Sequence, residues 1–267
     1  MTINDLEIYC VTNKAVPFIY GTNILLAGVG KNKFTKKYIL SNNRINIYDK
    51  ESYYSELTFH YWYWKNRLDV NSNKWIGFCQ KRRYWIKSES QNSYIDKENI
   101  HKHVLQKPEK DFSEFESIIC KPIKLNNIKK TKLIKRGWRS LIKHPSFFFD
   151  TKKQNIKLHF DIHHGHGNLD KAIRLLPEQD INDFLEYVET NTMFNPHIMY
   201  ISKSKILDIW FRTLFNWLSK CEDIFGFENL RGYDTGRLYA YLAERYASFW
   251  FKKYTKYKEQ SWAFIDE

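Results

Sequence analysis

Residues 53–85, YYSELTFHYWYWKNRLDVNSNKWIGFCQKRRYW, decide the fold. Leu57, Tyr61, Trp62, Trp64 and Leu68 recur at helical spacing on one broad face, which predicts a helix opening near Tyr53 or Tyr54. Asp69 to Lys74 is a polar break, and Trp75 to Cys79 is a short apolar run of the kind that forms a buried strand. Lys81, Arg82 and Arg83 follow at once. The carboxyl end of a strand is where open α/β sheets bind ligands, and the guanidinium fork matches phosphate oxygens. A diphosphate site and an exposed basic turn between aromatic residues both fit this pattern.

Upstream, Leu6 to Thr12 (LEIYCVT) is apolar enough for a central strand. Thr12, Asn13 and Lys14 then stand at its carboxyl end, either as contacts for a base and ribose or as an ordinary exit into a loop. Gly21, Gly28 and Gly30 punctuate the next stretch without forming a dinucleotide fingerprint or a P-loop. Downstream, residues 86–110 are polar and aperiodic, a surface excursion, and Phe112 to Cys120 reads as a short helix running into a strand. The alternation of strands and helices gives an α/β class.

The 267 residues suffice for one large α/β domain or two small ones. The 43 Lys and Arg outweigh 30 Asp and Glu, a formal net charge of +13, which implies nucleic acid, an acidic membrane surface or phosphorylated ligands as company. Aromatic residues make up 17% of the chain and supply either core or stacking surfaces. Cys10, Cys79, Cys120 and Cys221 lie far apart in apolar contexts, which argues against structural zinc and disulfides and for reduced core thiols. We find no signal-peptide pattern and no apolar run long enough to span a bilayer. The expectation is a cytoplasmic protein, soluble or peripheral at the inner face of the membrane.

From Lys121 to Lys143 the chain has no acidic residue. Leu133, Ile134, Trp138, Leu141 and Ile142 interleave there with Lys132, Lys135, Arg136, Arg139 and Lys143, a pattern shared by membrane-surface segments, arginine-rich nucleic-acid contacts and solvated insertions. His159, Asp161, His163, His164 and His166 crowd the next element, but without the spacing of a metal site. A histidine-lined acceptor pocket built on His163, His164 and His166 and a glycine-loosened surface loop are the two readings. Leu169 to Thr190 is helical with a break at Pro177, and Phe194 to Ile201 reads as a strand carrying Asn195 and His197. Two amphipathic helices close the chain, Lys203 to Cys221 and Asp234 to Tyr254, the second with Asp234 as N-cap and with Arg237, Tyr241, Glu244 and Ser248 on one face.

Four blocks together resemble a family of bacterial glycosyltransferases of capsular and exopolysaccharide assembly built on an uncharacterised domain. SELTFHYWYWKN (55–66) and WIGFCQKRRYW (75–85) resemble its E-L-T-x-x-Y-W-x-W-K-N helix and Y-I-G-x-x-H-Y-R-R-Y-F strand. FNPHIMYISK (194–203) and GRLYAYLAERYASFWF (236–251) resemble its later N-M-F-I-M-x-K strand and R-x-x-G-F-L-A-E-R helix. Gln80 and Lys81 replace the family's His-Tyr, and Pro196 and His197 its Met-Phe.

The resemblance implies a GT-A-like (Rossmann-like) α/β fold in a single domain with a helical C-terminal part. Its expected divisions are a nucleotide-sugar half at 1–120, a basic insertion at 121–157 and an acceptor-side helical half at 158–267. The implied reaction is transfer of a sugar from a nucleotide-sugar donor, a UDP-hexose or galactofuranose, to a surface polysaccharide or lipid-linked glycan. Matched positions place Glu56, Thr58, Lys65, Arg82, Arg83 and Tyr84 with Thr12, Asn13 and Lys14 on the donor side. Asn195, His197, Arg237 and Arg245 join the three histidines on the acceptor side. Glu244, Asp161 and Asp170 are the candidate carboxylate bases. No Asp-x-Asp follows a candidate strand, so the arginines are expected to neutralise the leaving diphosphate without a metal, and no prosthetic group is expected. The alternatives are a basic nucleic-acid-binding protein without catalysis and a decayed transferase serving as an assembly partner; nucleic acid is not an expected partner of the transferase.

Overall fold

The computed structural model describes residues 5–125, 135, 138–139, 142, 145–150 and 153–266. The chain forms two compact units: Met1–Lys121 with His197–Thr213 and Trp250–Glu267, and Pro122–Pro196 with Leu214–Phe249. Each is assembled from separated stretches, where the sequence reading divides the chain into consecutive ones.

The strands are β1 (Leu6–Thr12), β2 (Leu25–Gly28), β3 (Tyr38–Leu40), β4 (Trp75–Gln80), β5 (Arg83–Trp85), β6 (Ser117–Cys120), β7 (Ile123–Lys124), β8 (Met193–Phe194), β9 (Tyr200–Lys203), β10 (Tyr257–Gln260) and β11 (Trp262–Phe264). The first unit is built on a nine-stranded sheet of order β10-β6-β9-β4-β1-β2-β3, with β5 and β11 attached beside β4. β3, β2, β1 and β4 are mutually parallel, β9 runs antiparallel between β4 and β6, and β10 is parallel to β6. β1 is buried at six of its seven positions, all but Glu7, and β4 at five of six, which is why both read as largely apolar runs rather than alternating ones.

Gly77 in β4 lies between Ile8 and Ile201 of the flanking strands, and a Cβ there would stand 2.7 Å from the Ile201 side chain. The inner strands pack closely only because that position is glycine.

The aromatic stretch crosses from β3 back to β4. It forms two helices, Glu51–Tyr54 and Leu57–Asn66, interrupted at Ser55, whose φ of 52° breaks the single helix expected. The buried face also differs: Phe59, His60 and Tyr63 are buried, whereas Tyr61 and Trp64 are half-exposed. Their rings meet the sheet at Tyr9 and Phe78, with Tyr9–Tyr63 centroids 5.0 Å apart and His60–Phe78 4.1 Å. His60 Nδ1 bonds the Tyr200 hydroxyl at 2.8 Å, so the one polar ring in this packing is satisfied.

The second unit is mostly helical: Ile156–His164, Asn168–Ile173, Glu178–Thr190 and the portions of Ser204–Phe225 and Leu238–Tyr254 assigned to it, with the small β7–β8 pair. Buried polar contacts tie these helices together. Trp217 Nε1 donates to the Ala172 carbonyl at 2.8 Å and the Tyr246 hydroxyl to Asp180 at 2.6 Å.

Three local expectations change. The histidine-rich stretch is helix rather than loop, because Asn155 caps it by accepting from Leu158 N at 2.8 Å. The expected strand at 194–201 is two strands separated by His197 and Ile198, both with positive φ. Asp234 lies inside a separate short helix, Gly232–Gly236, and does not cap Leu238–Tyr254.

Most of the basic block, including Lys132, Leu133, Ile134, Arg136, Leu141 and Lys143, lies outside the described residues; Lys135, Trp138, Arg139 and Ile142 are exposed. All four cysteines are buried and none is in a disulfide. Among the described residues no helix is long and apolar enough to cross a membrane.

Candidate functional site

The first unit gathers polar groups along the carboxyl edge of its parallel strands. At the end of β1 the Thr12 hydroxyl accepts from Lys14 N at 3.0 Å and donates to the Lys14 carbonyl, folding the tripeptide into a tight turn. Asn13 O accepts from Asn32 Nδ2 at 2.5 Å.

β4 does not end in its arginines. It ends at Gln80, turns through Lys81 and Arg82, and returns as β5 from Arg83, with Gln80 and Arg83 paired across the hairpin. The Tyr84 hydroxyl, buried below, donates to the Lys81 carbonyl at 2.6 Å and so fixes the turn from beneath. Arg82 pairs with Asp266 and lies 4.8 Å from the Phe264 ring centre; Arg83 lies 5.4 Å from the same ring and donates to Gln80 Oε1 at 3.4 Å. The Arg82–Asp266 pair is exposed, and such pairs are weak enough for a ligand phosphate to replace the carboxylate.

Gln80 holds the adjoining segment as well. Its Nε2 donates to the His197 carbonyl at 2.6 Å, where His197 (φ 75°) and Ile198 (φ 53°) both occupy the left-handed region. Non-glycine residues held in this way cost about 1–3 kcal/mol each and cluster where ligands bind. The His197 ring meets Trp262 edge-on at 5.0 Å.

Of the other donor-side expectations, Glu56 stands at the start of the helix that leads back to β4 and Thr58 is buried within it, its hydroxyl on the Ser55 carbonyl at 2.9 Å. Lys65 is in the last turn of that helix, 3.4 Å over the Trp64 ring, on the side where the crossover re-enters the sheet at the amino end of β4. The structure therefore does not bring Lys65 to the arginine hairpin.

In the second unit the helix Ile156–His164 ends at Gly165 (φ 101°), and Gly167 (φ 77°) opens the next. Asp161, buried near the helix end, accepts from Gly167 N at 3.0 Å, and its Oδ2 lies 3.2 Å from His166 Nδ1. Burial raises the Asp161 carboxyl above the usual carboxylate range, against the lowering effects of the Gly167 amide, Lys157 and His166. His163 and Asp161 line a cavity of about 540 Å³ with His166, Arg231, Asp234 and Thr235.

His164 turns elsewhere. Its ring stacks on Tyr241 at 3.7 Å and its Nδ1 bonds the Asp234 carbonyl at 2.8 Å; burial, aided by the Arg245 charge, pushes it down to about 3, so it is neutral. Asp170 is paired with Lys157. Glu244 is paired with Arg245, whose buried guanidinium also reaches His159 Nδ1 at 3.2 Å and lies 4.0 Å from the Phe194 ring centre. Asn195 is braced by Ser248, donating its amide at 2.9 Å and accepting the hydroxyl at 2.8 Å, and Arg237 ends the short helix Gly232–Gly236. Within this unit Asp161, His163 and His166 come together; Glu244, Asp170 and Asn195 do not line their cavity. Arg231, Thr235, Trp262 and Phe264 were not legible as site residues, since each reaches its place through contacts distant in sequence.

A model of the family DUF4422, a domain of unknown function, matches residues 7–256. No curated protein matches. Among solved structures, the apo form of WbbM, a bifunctional glycosyltransferase, matches with a TM-score of 0.71 at 18% identity, covering 99% of this chain and 46% of that one. The chain thus spans about half the length of that structure and has the α/β fold found there, with a parallel-dominated sheet and a helical C-terminal part.

Proposed function

The chain belongs to the DUF4422 family, and from that premise we propose that it is a glycosyltransferase using a nucleotide-sugar donor. The observation that carries the reading is the carboxyl edge of β1 and β4, where Thr12–Lys14 and the hairpin Gln80–Arg83 end side by side on a fold shared with a glycosyltransferase. The donor is a UDP-hexose, with galactofuranose as one form, and the acceptor a surface polysaccharide or lipid-linked glycan. Arg82 and Arg83 neutralise the charge that grows on the departing diphosphate, with no metal required. Phe264 and Gln80 hold the two guanidinium groups close together.

An inverting transfer needs a carboxylate to accept the acceptor hydroxyl proton. Asp161 suits that role best of the three candidates, because burial raises its basicity and neither a lysine nor an arginine is bound to it. The aromatic residues of the 53–85 stretch lend the nucleic-acid alternative no support, since Trp62, Tyr63, Trp75, Tyr84 and Trp85 are core rather than stacking surface.

The test is release of UDP from a panel of UDP-hexoses by the purified chain with a polysaccharide or lipid-linked acceptor. Turnover lost in Arg83→Ala supports the reading; a chain that neither binds nor turns over any nucleotide sugar removes it.

A further inference from the structure

We propose that the surface carrying Lys135, Trp138, Arg139 and Ile142 docks on an anionic phospholipid bilayer. All four residues are helical and exposed, and their spacing of three and four is that of one helix face. Trp138 is 50% exposed and Ile142 71%, and Phe149, which ends the short helix Ser146–Phe149, is 84% exposed. Among the described residues no other stretch of twelve holds more than two large apolar side chains so open to water. Apolar side chains exposed singly need no partner, but a group of them marks a surface that something covers.

Charge says what the cover is. From 117 to 149 the sequence has nine Lys and Arg and no Asp or Glu, so most of the formal net charge of +13 is held in this one stretch. The Arg139 guanidinium lies 5.2 Å from the Trp138 ring centre, which puts cation and ring on a common surface. A bilayer of anionic lipid satisfies both kinds of group at once: headgroup phosphates take the cations, and the acyl boundary takes the indole, Ile142 and Phe149. An oligonucleotide matches the charge and can stack on Trp138, but it has no apolar layer for Ile142. The docking surface shares no residue with the donor edge and stands whether or not the chain transfers sugars.

Co-sedimentation of the full chain tests this with vesicles of phosphatidylcholine alone and vesicles containing about one third phosphatidylglycerol. The chain should partition to the acidic vesicles and not to the neutral ones, and salt at about 0.5 M should weaken the partition. Trp138→Ser with Ile142→Ser should weaken it by about tenfold or more, through the lost apolar contact. Lys135→Ala with Arg139→Ala should weaken it by about twenty-five-fold, at about fivefold for each charge. The four side chains are exposed, so both double variants should melt like the parent chain. Three results would each overturn the assignment: no partition to the acidic vesicles, partition unchanged by Trp138→Ser with Ile142→Ser, or a short DNA duplex bound through Lys135 and Arg139 more tightly than the vesicles.

Discussion

Gln80 Nε2 donates to the carbonyl of His197 at 2.6 Å, so the last residue of β4 holds in place a segment 117 positions away whose backbone is left-handed at two successive non-glycine residues. Removing that bond should release the segment. Gln80→Ala is expected to lose about 0.5–1.5 kcal/mol of stability, the scale of one hydrogen bond to a half-buried carbonyl. Urea denaturation reads this directly, and an unchanged midpoint would show that the segment holds itself.

Gly77→Ala places a methyl group 2.7 Å from Ile201 in a sheet with neighbours on both sides. The expected cost is about 1–3 kcal/mol from overpacking. Ile201→Ala removes the Cγ1 that the new methyl group meets, so Gly77→Ala combined with Ile201→Ala should cost less than the sum of the two single changes, and strict additivity would place the strain elsewhere.

On the donor side, Arg83→Ala should lower kcat/KM by about 10²–10³, as expected for the loss of a group that stabilises developing charge. Arg83→Lys should not restore it, because the ammonium cannot reproduce the fork that reaches Gln80 and a phosphate together. EDTA should leave transfer unchanged. If Mn²⁺ or Mg²⁺ restores activity that EDTA removes, the arginines are not the main neutralising groups.

Among the carboxylates, Asp161→Asn should cost about 10²–10⁴ in turnover while the chain stays folded. Glu244→Gln should act mainly on stability, by about 3 kcal/mol, since Arg245 is buried and loses its anionic partner. Rate assays paired with circular-dichroism melting separate the two. A Glu244→Gln chain of native stability and no activity would exchange the assignments.

Two buried imidazoles set the acid limit of the fold. Burial pushes both His60 and His164 from 6.5 down to about 3. A folded-state value below the unfolded one means that protonation favours the unfolded chain. Stability is therefore full above about pH 6.5 and falls continuously as pH drops toward 3. His60→Gln, which keeps a hydrogen-bonding partner for Tyr200, should flatten this slope in pH-dependent denaturation. An unchanged slope would mean that His60 titrates normally.

The sheet was more legible than the site, for physical reasons. β1 and the core of β4 announce themselves because an inner parallel strand is apolar on both faces, and their bounds fall within a residue of the expected ones. The helix 156–164 was obscured because its histidines and the following glycines imitate a loop, while its real signal is the single capping Asn155. The break at Ser55 and the left-handed pair at 197–198 answer to tertiary packing rather than to propensity. Lys81 to Arg83 was legible as a cationic cluster, but not as a hairpin backed by Phe264 and Asp266, since that pairing joins residues more than 180 apart. The same holds for the cavity, where the Asp161–His166 pair is local and visible whereas Arg231 and Thr235 arrive from another element.

The position of β9 between β4 and β6 has a consequence for synthesis. When β4 and β6 have left the ribosome, the strand that joins them is still some 80 residues away. The nascent sheet must wait with two bare edges, rich in Ile, Phe and Trp, which are the kind of surface that recruits other chains. Chaperone supply during elongation is therefore expected to raise the soluble yield of this protein.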